Sequence, residues 1–220
     1  MIYEFYHTPY KISRFIQDND IDIYLLPTEN SAEYYWEKDG DRVSGKIRGF
    51  TRVKKTKEKT ERDIFVEACM RYGYYENHSD SSKGTTKEEF YYRMCKNTLM
   101  HELGHAIDGT QDFFLSKNNV FKQIHKEEIN KFRETEQYKV ENLKVEANIN
   151  TSTEYFATAF SAFICHPKDL LEKCPLTYWY IERYLKKIEA KYLDKDELIE
   201  KYNDINNSYT KNKQLTKTRY

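Results

Sequence analysis

The spacing of apolar positions changes once along the chain. Up to residue 68 they come in short β-branched and aromatic runs, and beyond residue 86 they recur every three or four positions. IDIYLLP at 21–27 predicts a strand stopped by Pro27. Lys46–Val53, after the turn-like DGDRVSG, predicts a second, and Asp63–Ala68 (DIFVEA) a third. Residues 8–18 predict a short helix ahead of them, and KKTKEKTER between the second and third strands reads as a solvated turn. Residues 70–86, rich in Ser, Asn, Asp, Thr and Gly, predict a long loop. A helix is expected over 87–108. Thr86-Lys87-Glu88-Glu89 has the S/T-x-x-E form of a capping box, and Gly109 stands where a left-handed residue closes a helix. Further helices are expected at 118–137, 153–165 and 176–203, followed by a polar tail over 204–220. Strands first and helices afterwards predict an α+β domain over 1–203, strand-rich in 1–86 and helical in 87–203.

Composition narrows the class. A chain of 220 residues can bury roughly 70% of its unfolded surface without disulfides or metals to hold it. Its 20 Tyr, 12 Phe and 2 Trp supply a large apolar payload despite 33% charged residues. Lys and Arg balance Asp and Glu to a net charge of zero, which removes the electrostatic case for nucleic acid or an anionic membrane as a partner. No run approaches the roughly eighteen apolar residues of a membrane span. MIYEFYHTPYKISRF lacks the features of a secretory leader, so the chain as written reads as cytoplasmic or exported without a classical signal, and as secreted if a leader has been removed. Cys69, Cys95, Cys165 and Cys174 form no C-x-x-C pair and suit free thiols in a monomer.

The chemistry is concentrated in His101-Glu102-Leu103-Gly104-His105, an H-E-x-x-H in the second half of the 87–108 helix. Spacing i, i+4 sets both imidazoles one turn apart on one face, where they can share one Zn2+. At about 100° per residue the histidines share a stripe with Phe90, Met94 and Thr98, opposite Leu99, Leu103 and Ala106. Glu102 lies on the flank of that stripe, able to reach a water on the metal, which is the position of a general base in a zinc hydrolase. Asp108, one turn beyond His105, is read either as a partner for the spare N–H of a ligand histidine or as an exposed residue before a turn.

A catalytic zinc site needs a third protein ligand. The candidates are Glu127, Glu128, His125 and Glu154, and Glu154 is preferred. It opens a segment in which Phe156, Ala159, Phe160 and Phe163 form an apolar stripe. Its own face carries Ala157, Thr158 and Ser161, small enough for a close approach to the zinc helix. HKEEINKFRETE, which holds Glu127 and Glu128, is polar almost all round and reads as solvated. A competing role for Glu154 is the capping box Thr151-x-x-Glu154, which would claim the same carboxylate.

HELGHAID followed at a distance by E-Y-F-A-x-A-F resembles the catalytic domain of anthrax lethal factor and the related Pro-Pro endopeptidases, a gluzincin-like branch of the zinc metallopeptidases. The likeness covers about 95–109 and 150–164 and extends to the strand at 62–68. It implies a zincin-like fold, a small mixed sheet packed on the HExxH helix, with one Zn2+ held by His101, His105 and Glu154 and with Glu102 as general base. It also implies that Asp63, Ile64, Phe65, Val66, Glu67 and Ala68 form the cleft edge on which an extended peptide substrate adds as a strand. Two positions depart from the family pattern. Ala147 stands where a tyrosine seven residues before the glutamate ligand commonly steadies the oxyanion, and Thr158 replaces a second glutamate four residues after it. Tyr138, or one of Tyr178 and Tyr180, is a candidate to supply a phenol from elsewhere; Tyr138 is named for the oxyanion role, but no spacing selects among the three.

The expected function is zinc-dependent hydrolysis of peptide bonds in a peptide or protein substrate. A catalytically degenerate zincin that binds a partner through the same cleft is the alternative, and a structural zinc domain with a fourth protein ligand is a third reading.

Overall fold

The structure, a computed structural model, describes residues 12–26, 48–55, 60–67, 87–109, 114–141 and 149–192. It is α+β. A short helix α1 (Ile12–Asp18) precedes strands β1 (Ile21–Leu26), β2 (Gly49–Lys55) and β3 (Thr60–Glu67), and the rest of the described chain is helical. The sheet has the order β1-β3-β2. β3 runs parallel to β1, with Ile21 opposite Arg62, and antiparallel to β2, with Gly49 opposite Val66. The expected substrate edge is thereby corrected. Asp63, Ile64, Phe65, Val66 and Glu67 lie in the central strand, whose backbone groups are committed on both sides, so β3 has no edge to offer. Ala68 lies outside the described residues, as do residues 8–11, Pro27, Lys46, Thr86 and everything beyond 192.

Side chains alternate between the two faces of β3. Ile64 and Val66 join the main core with Leu99 and Leu103, while Phe65 points the other way and stacks between Phe50 at 4.6 Å and Tyr24 at 4.8 Å. That second face carries its own small cluster of Leu26, Phe50 and Phe65.

Helix α2 (Lys87–Asp108) starts and stops where the sequence pattern sets it. Its second half is enclosed on more sides than the two-sided stripe implied, because the sheet covers one side and a later helix the other. Met94, assigned to the site side, is buried along with Leu99, Met100, Leu103, Ala106 and Ile107. The closing residue is also different in kind. Gly109 does not take the left-handed backbone; its N–H returns to the His105 carbonyl at 3.1 Å, and the Arg62 guanidinium donates to the Gly109 carbonyl. Burial lowers the Arg62 pKa from its ordinary value, yet the cation sits at the negative end of the helix dipole, where positive charge is favoured.

After a 3-10 turn at Leu115–Lys117 come α3 (Asn119–Phe132), α4 (Glu136–Glu141), α5 (Ser152–Cys165), α6 (Pro167–Lys173) and α7 (Pro175–Tyr192). Asn118 caps α3, its side chain accepting from the Val120 N–H at 2.8 Å. The single helix expected over 118–137 is two, because Thr135 both donates to the Phe132 carbonyl and accepts from the Tyr138 N–H. α6 was not anticipated; it and α7 each open on a proline, a residue suited to a first turn that needs no N–H donor. Glu128 accounts for the start of α7. It is only 3% exposed, and its carboxylate accepts from the Leu176 and Thr177 N–H groups at 3.0 and 2.9 Å. Rings make much of this half's core, with Phe121 against Phe156 at 5.3 Å and Tyr180 at 4.9 Å.

Candidate metal centre

Helices α2 and α5 make the most extensive contact in the described fold, and they cross at Gly104. A Cβ on Gly104 would stand 2.8 Å from the Ala157 Cα and 3.1 Å from its carbonyl oxygen, so the backbones meet with no side chain between them. Thr151 fixes where α5 begins, its hydroxyl accepting from the Glu154 N–H at 3.2 Å. Only this half of the capping box is used for the cap. The Glu154 carboxylate turns to α2, where Oε2 lies 3.4 Å from His101 Nε2 and 3.5 Å from His105 Nε2. The small neighbours behave as their size suggested. Ala157 abuts Gly104, the Thr158 hydroxyl is 3.2 Å from His101 Nδ1, and the Ser161 hydroxyl donates to the Asn97 carbonyl.

His101 and His105 Nε2 are 3.1 Å apart, so the three ligand-type atoms form a nearly equilateral triangle. Ligands about 2.0–2.1 Å from a tetrahedral Zn2+ lie about 3.3–3.4 Å from one another. The residues present therefore fit a zinc ion in donor type and in spacing. Among the described residues this is the one group of three or more His, Cys, Asp or Glu side chains able to hold a metal ion. Burial alone would raise the Glu154 carboxyl, but hydrogen bonds and positive charge from His101 and His105 outweigh it and hold the group well below the usual carboxylate range.

The supporting contacts fall elsewhere than the sequence indicated. With both Nε2 atoms turned to Glu154, His101 Nδ1 is the ring nitrogen that meets Thr158, whose hydroxyl oxygen can accept its N–H. Asp108 serves a different partner from His105. It is 1% exposed, and its two oxygens accept from the Ser116 N–H at 2.7 Å and the Ser116 hydroxyl at 2.6 Å, which ties the end of α2 to the 3-10 turn. Burial raises its pKa, against the opposing pull of the Ser116 hydrogen bonds. Glu102, 7% exposed, is met by Thr51 of β2, whose hydroxyl lies 2.9 Å from its Oε2 and 2.8 Å from its backbone carbonyl.

Tyr138 is not beside the histidines. Its ring packs edge-on to Phe132 in the helical core, and no hydrogen bond joins its phenol to the cluster among the described residues. Tyr178 packs on Phe163, and the Tyr180 hydroxyl donates to the Leu115 carbonyl. Ala147 lies outside the described residues. The rival third ligands are placed apart as well. His125 is buried on the Ile149 carbonyl at 2.8 Å, Glu127 pairs with Gln123 on the surface, and Glu128 caps α7 instead of being solvated. The Cys95 and Cys174 thiols are buried, and burial with the nearby Glu128 charge pushes the Cys174 pKa up to about 12.

Sequence reasoning missed Thr51 and Gly49. Gly49 carried a readable signal, since a glycine inside a strand often marks a close backbone approach. A Cβ there would stand 2.7 Å from Thr98 Cγ2 and 3.2 Å from Glu102 Cγ, so β2 descends onto α2 at the Glu102 position.

An α+β domain with a His-His-Glu cluster shared between two crossing helices is the class that fold and site define. The chain belongs to the anthrax toxin lethal factor family: the model of the family described as anthrax toxin lethal factor, N- and C-terminal domain, matches residues 1–184. That family is zinc-dependent in general and is associated with protease activity. No curated protein and no solved structure matches the chain significantly.

Proposed function

We propose that the protein is a zinc metalloendopeptidase with a zincin-like fold, in which His101, His105 and Glu154 hold one Zn2+ and Glu102 is the general base. The observation that carries this reading is the triangle of Nε2, Nε2 and Oε2 atoms with sides of 3.1, 3.4 and 3.5 Å. Zn2+ bound there would polarise the scissile carbonyl and acidify a water. Glu102 takes a proton from the attacking water as its oxygen bonds to the scissile carbonyl carbon, and returns that proton to the leaving amine as the C–N bond breaks. Thr158 keeps the His101 ring in the orientation that presents Nε2. The substrate is a peptide or protein, met by a monomer in a reducing cytoplasm, in keeping with the neutral net charge and the buried thiols of Cys95 and Cys174.

The degenerate-zincin reading has its own support, namely that Tyr138, Tyr178 and Tyr180 are engaged with Phe132, Phe163 and the Leu115 carbonyl and that Ala147 stands in the usual tyrosine position. One experiment separates the two. Zinc content and cleavage of a diverse peptide library are measured for the wild type, Glu102→Ala and Glu154→Ala. The peptidase reading expects one zinc and cleavage in the wild type, zinc without cleavage in Glu102→Ala, and neither in Glu154→Ala. A wild type that holds zinc but cleaves nothing favours the binding module, and a Glu154→Ala that keeps zinc as tightly as the wild type removes Glu154 from the ligand set.

A further inference from the structure

We infer that Thr51 is a positioning residue for Glu102, holding one carboxylate oxygen so that the other faces the reacting water. The inference rests on the peptidase reading and adds to it a residue from the sheet, 51 positions upstream of Glu102.

Three features place Thr51 there. It pairs with Ile64 on the central strand, so its side chain projects from the face that joins the main core. Gly49, two residues earlier on the same face, lets β2 come down on α2 where a Cβ would meet Thr98, the Phe65 carbonyl and Glu102 Cγ. The Thr51 hydroxyl then reaches the Glu102 carbonyl oxygen at 2.8 Å and Oε2 at 2.9 Å.

A hydroxyl has one proton, and both of those oxygens are acceptors, so the proton is shared between them with the ionised carboxylate the stronger claimant. Oε2 is occupied, and Oε1 is the oxygen left for a water. Threonine suits the task because its branched Cβ restricts χ1, and a fixed hydroxyl fixes the carboxylate it holds. A glutamate without this tether keeps three rotatable bonds. A general base works only within hydrogen-bond reach of the proton it abstracts, so the expected consequence of releasing it is a slower chemical step with unchanged substrate binding.

The test uses the full chain and the pair Thr51→Val and Thr51→Ser. Valine is isosteric and favours a strand, so the fold is kept while the hydroxyl is lost. Thr51→Val should keep stoichiometric zinc and an unaltered KM but lose about 10- to 100-fold in kcat, and Thr51→Ser should recover most of that loss. A second readout is independent of turnover. Thermal melts of the metal-stripped chain carrying Thr51→Val, Glu102→Met (which has no side-chain oxygen to accept from Thr51) or both should give Tm shifts that fail to add, as contacting residues do. A Thr51→Val enzyme with wild-type kcat, or one that loses zinc in step with activity, overturns the inference, and so do additive melts. A wild type that cleaves nothing sinks the peptidase reading and the kinetic role of Thr51 together, and the melts alone then decide whether the tether exists.

Discussion

Replacing Gly104 with alanine tests whether the helix crossing sets the metal geometry. The new Cβ would lie 2.8 Å from the Ala157 Cα and 3.1 Å from both the Ala157 carbonyl oxygen and Phe160 Cβ. Comfortable carbon–carbon contact begins near about 3.5 Å, so the helices must part by roughly 0.7 Å, and the obstacle is backbone that cannot rotate away. Alanine in a helix interior gains about 1 kcal/mol over glycine, whereas overpacking costs about 1–3 kcal/mol, so global stability should fall by no more than about 2 kcal/mol. The site should suffer more. His101 and His105 ride on one helix and Glu154 on the other, so the parting widens the 3.4 and 3.5 Å edges and leaves the 3.1 Å edge alone. Zinc affinity, measured by competition with a chromophoric chelator, should weaken at least about 10-fold, the scale on which disturbed supporting contacts act. Gly109→Ala is the control, because its Cβ would meet nothing closer than 3.5 Å and no left-handed backbone is required. A Gly104→Ala protein that binds zinc with wild-type affinity would refute the reasoning, since the crossing would then not determine where Glu154 stands.

Thr158→Val removes the acceptor at His101 Nδ1 and should weaken zinc binding about 10- to 100-fold with little change in Tm; unchanged affinity in the same competition assay counts against a supporting role. Glu128→Ala strips the cap from α7 and should cost about 1–2 kcal/mol, read as a lower Tm, without altering zinc affinity; an unchanged melt rejects the cap. His125 gives a pH dependence. Burial lowers its pKa below the ordinary 6.5, against the opposing effect of its bond to Ile149. The unfolded chain therefore binds the proton more readily, and stability rises with pH through the window from the depressed folded value up to 6.5. Wild-type Tm should fall on acidification below that value, less steeply in His125→Gln, with His166, also lowered by burial, keeping part of the slope; parallel pH profiles of the two proteins would exclude His125 as a contributor.

What the sequence made legible was local. The bounds of α2, the apolar stripe of α5 and the small face around Glu154 all follow from a 3.6-residue period with recognisable start signals, and these bring Glu154 to the two histidines. Strand order is a long-range property. Asp63–Glu67 reads equally well as an edge or a central strand, and only the pairing of β1 and β2 on either side settles it. Hydrogen bonds that bridge elements were hidden for the same reason. Nothing near Thr51 announces Glu102, nothing near Glu128 announces the first turn of α7, and the Asp108 partner, Ser116, lies beyond a connection with no helical period. Charge alone also misled at Glu128, because a carboxylate on a polar helix reads as solvated until a helix start needs an acceptor.

The division of the cluster between α2 and α5 has a cellular corollary. Its members are about fifty residues apart in the chain, so an ion held there is a clasp as well as a reagent, and its binding energy adds to that of the folded state alone. If that ion is the proposed zinc, a molecule deprived of it would be easier to open along the α2–α5 seam, and proteases that sample open forms would remove it sooner. Metal supply would set how many copies persist, and not merely how many are active.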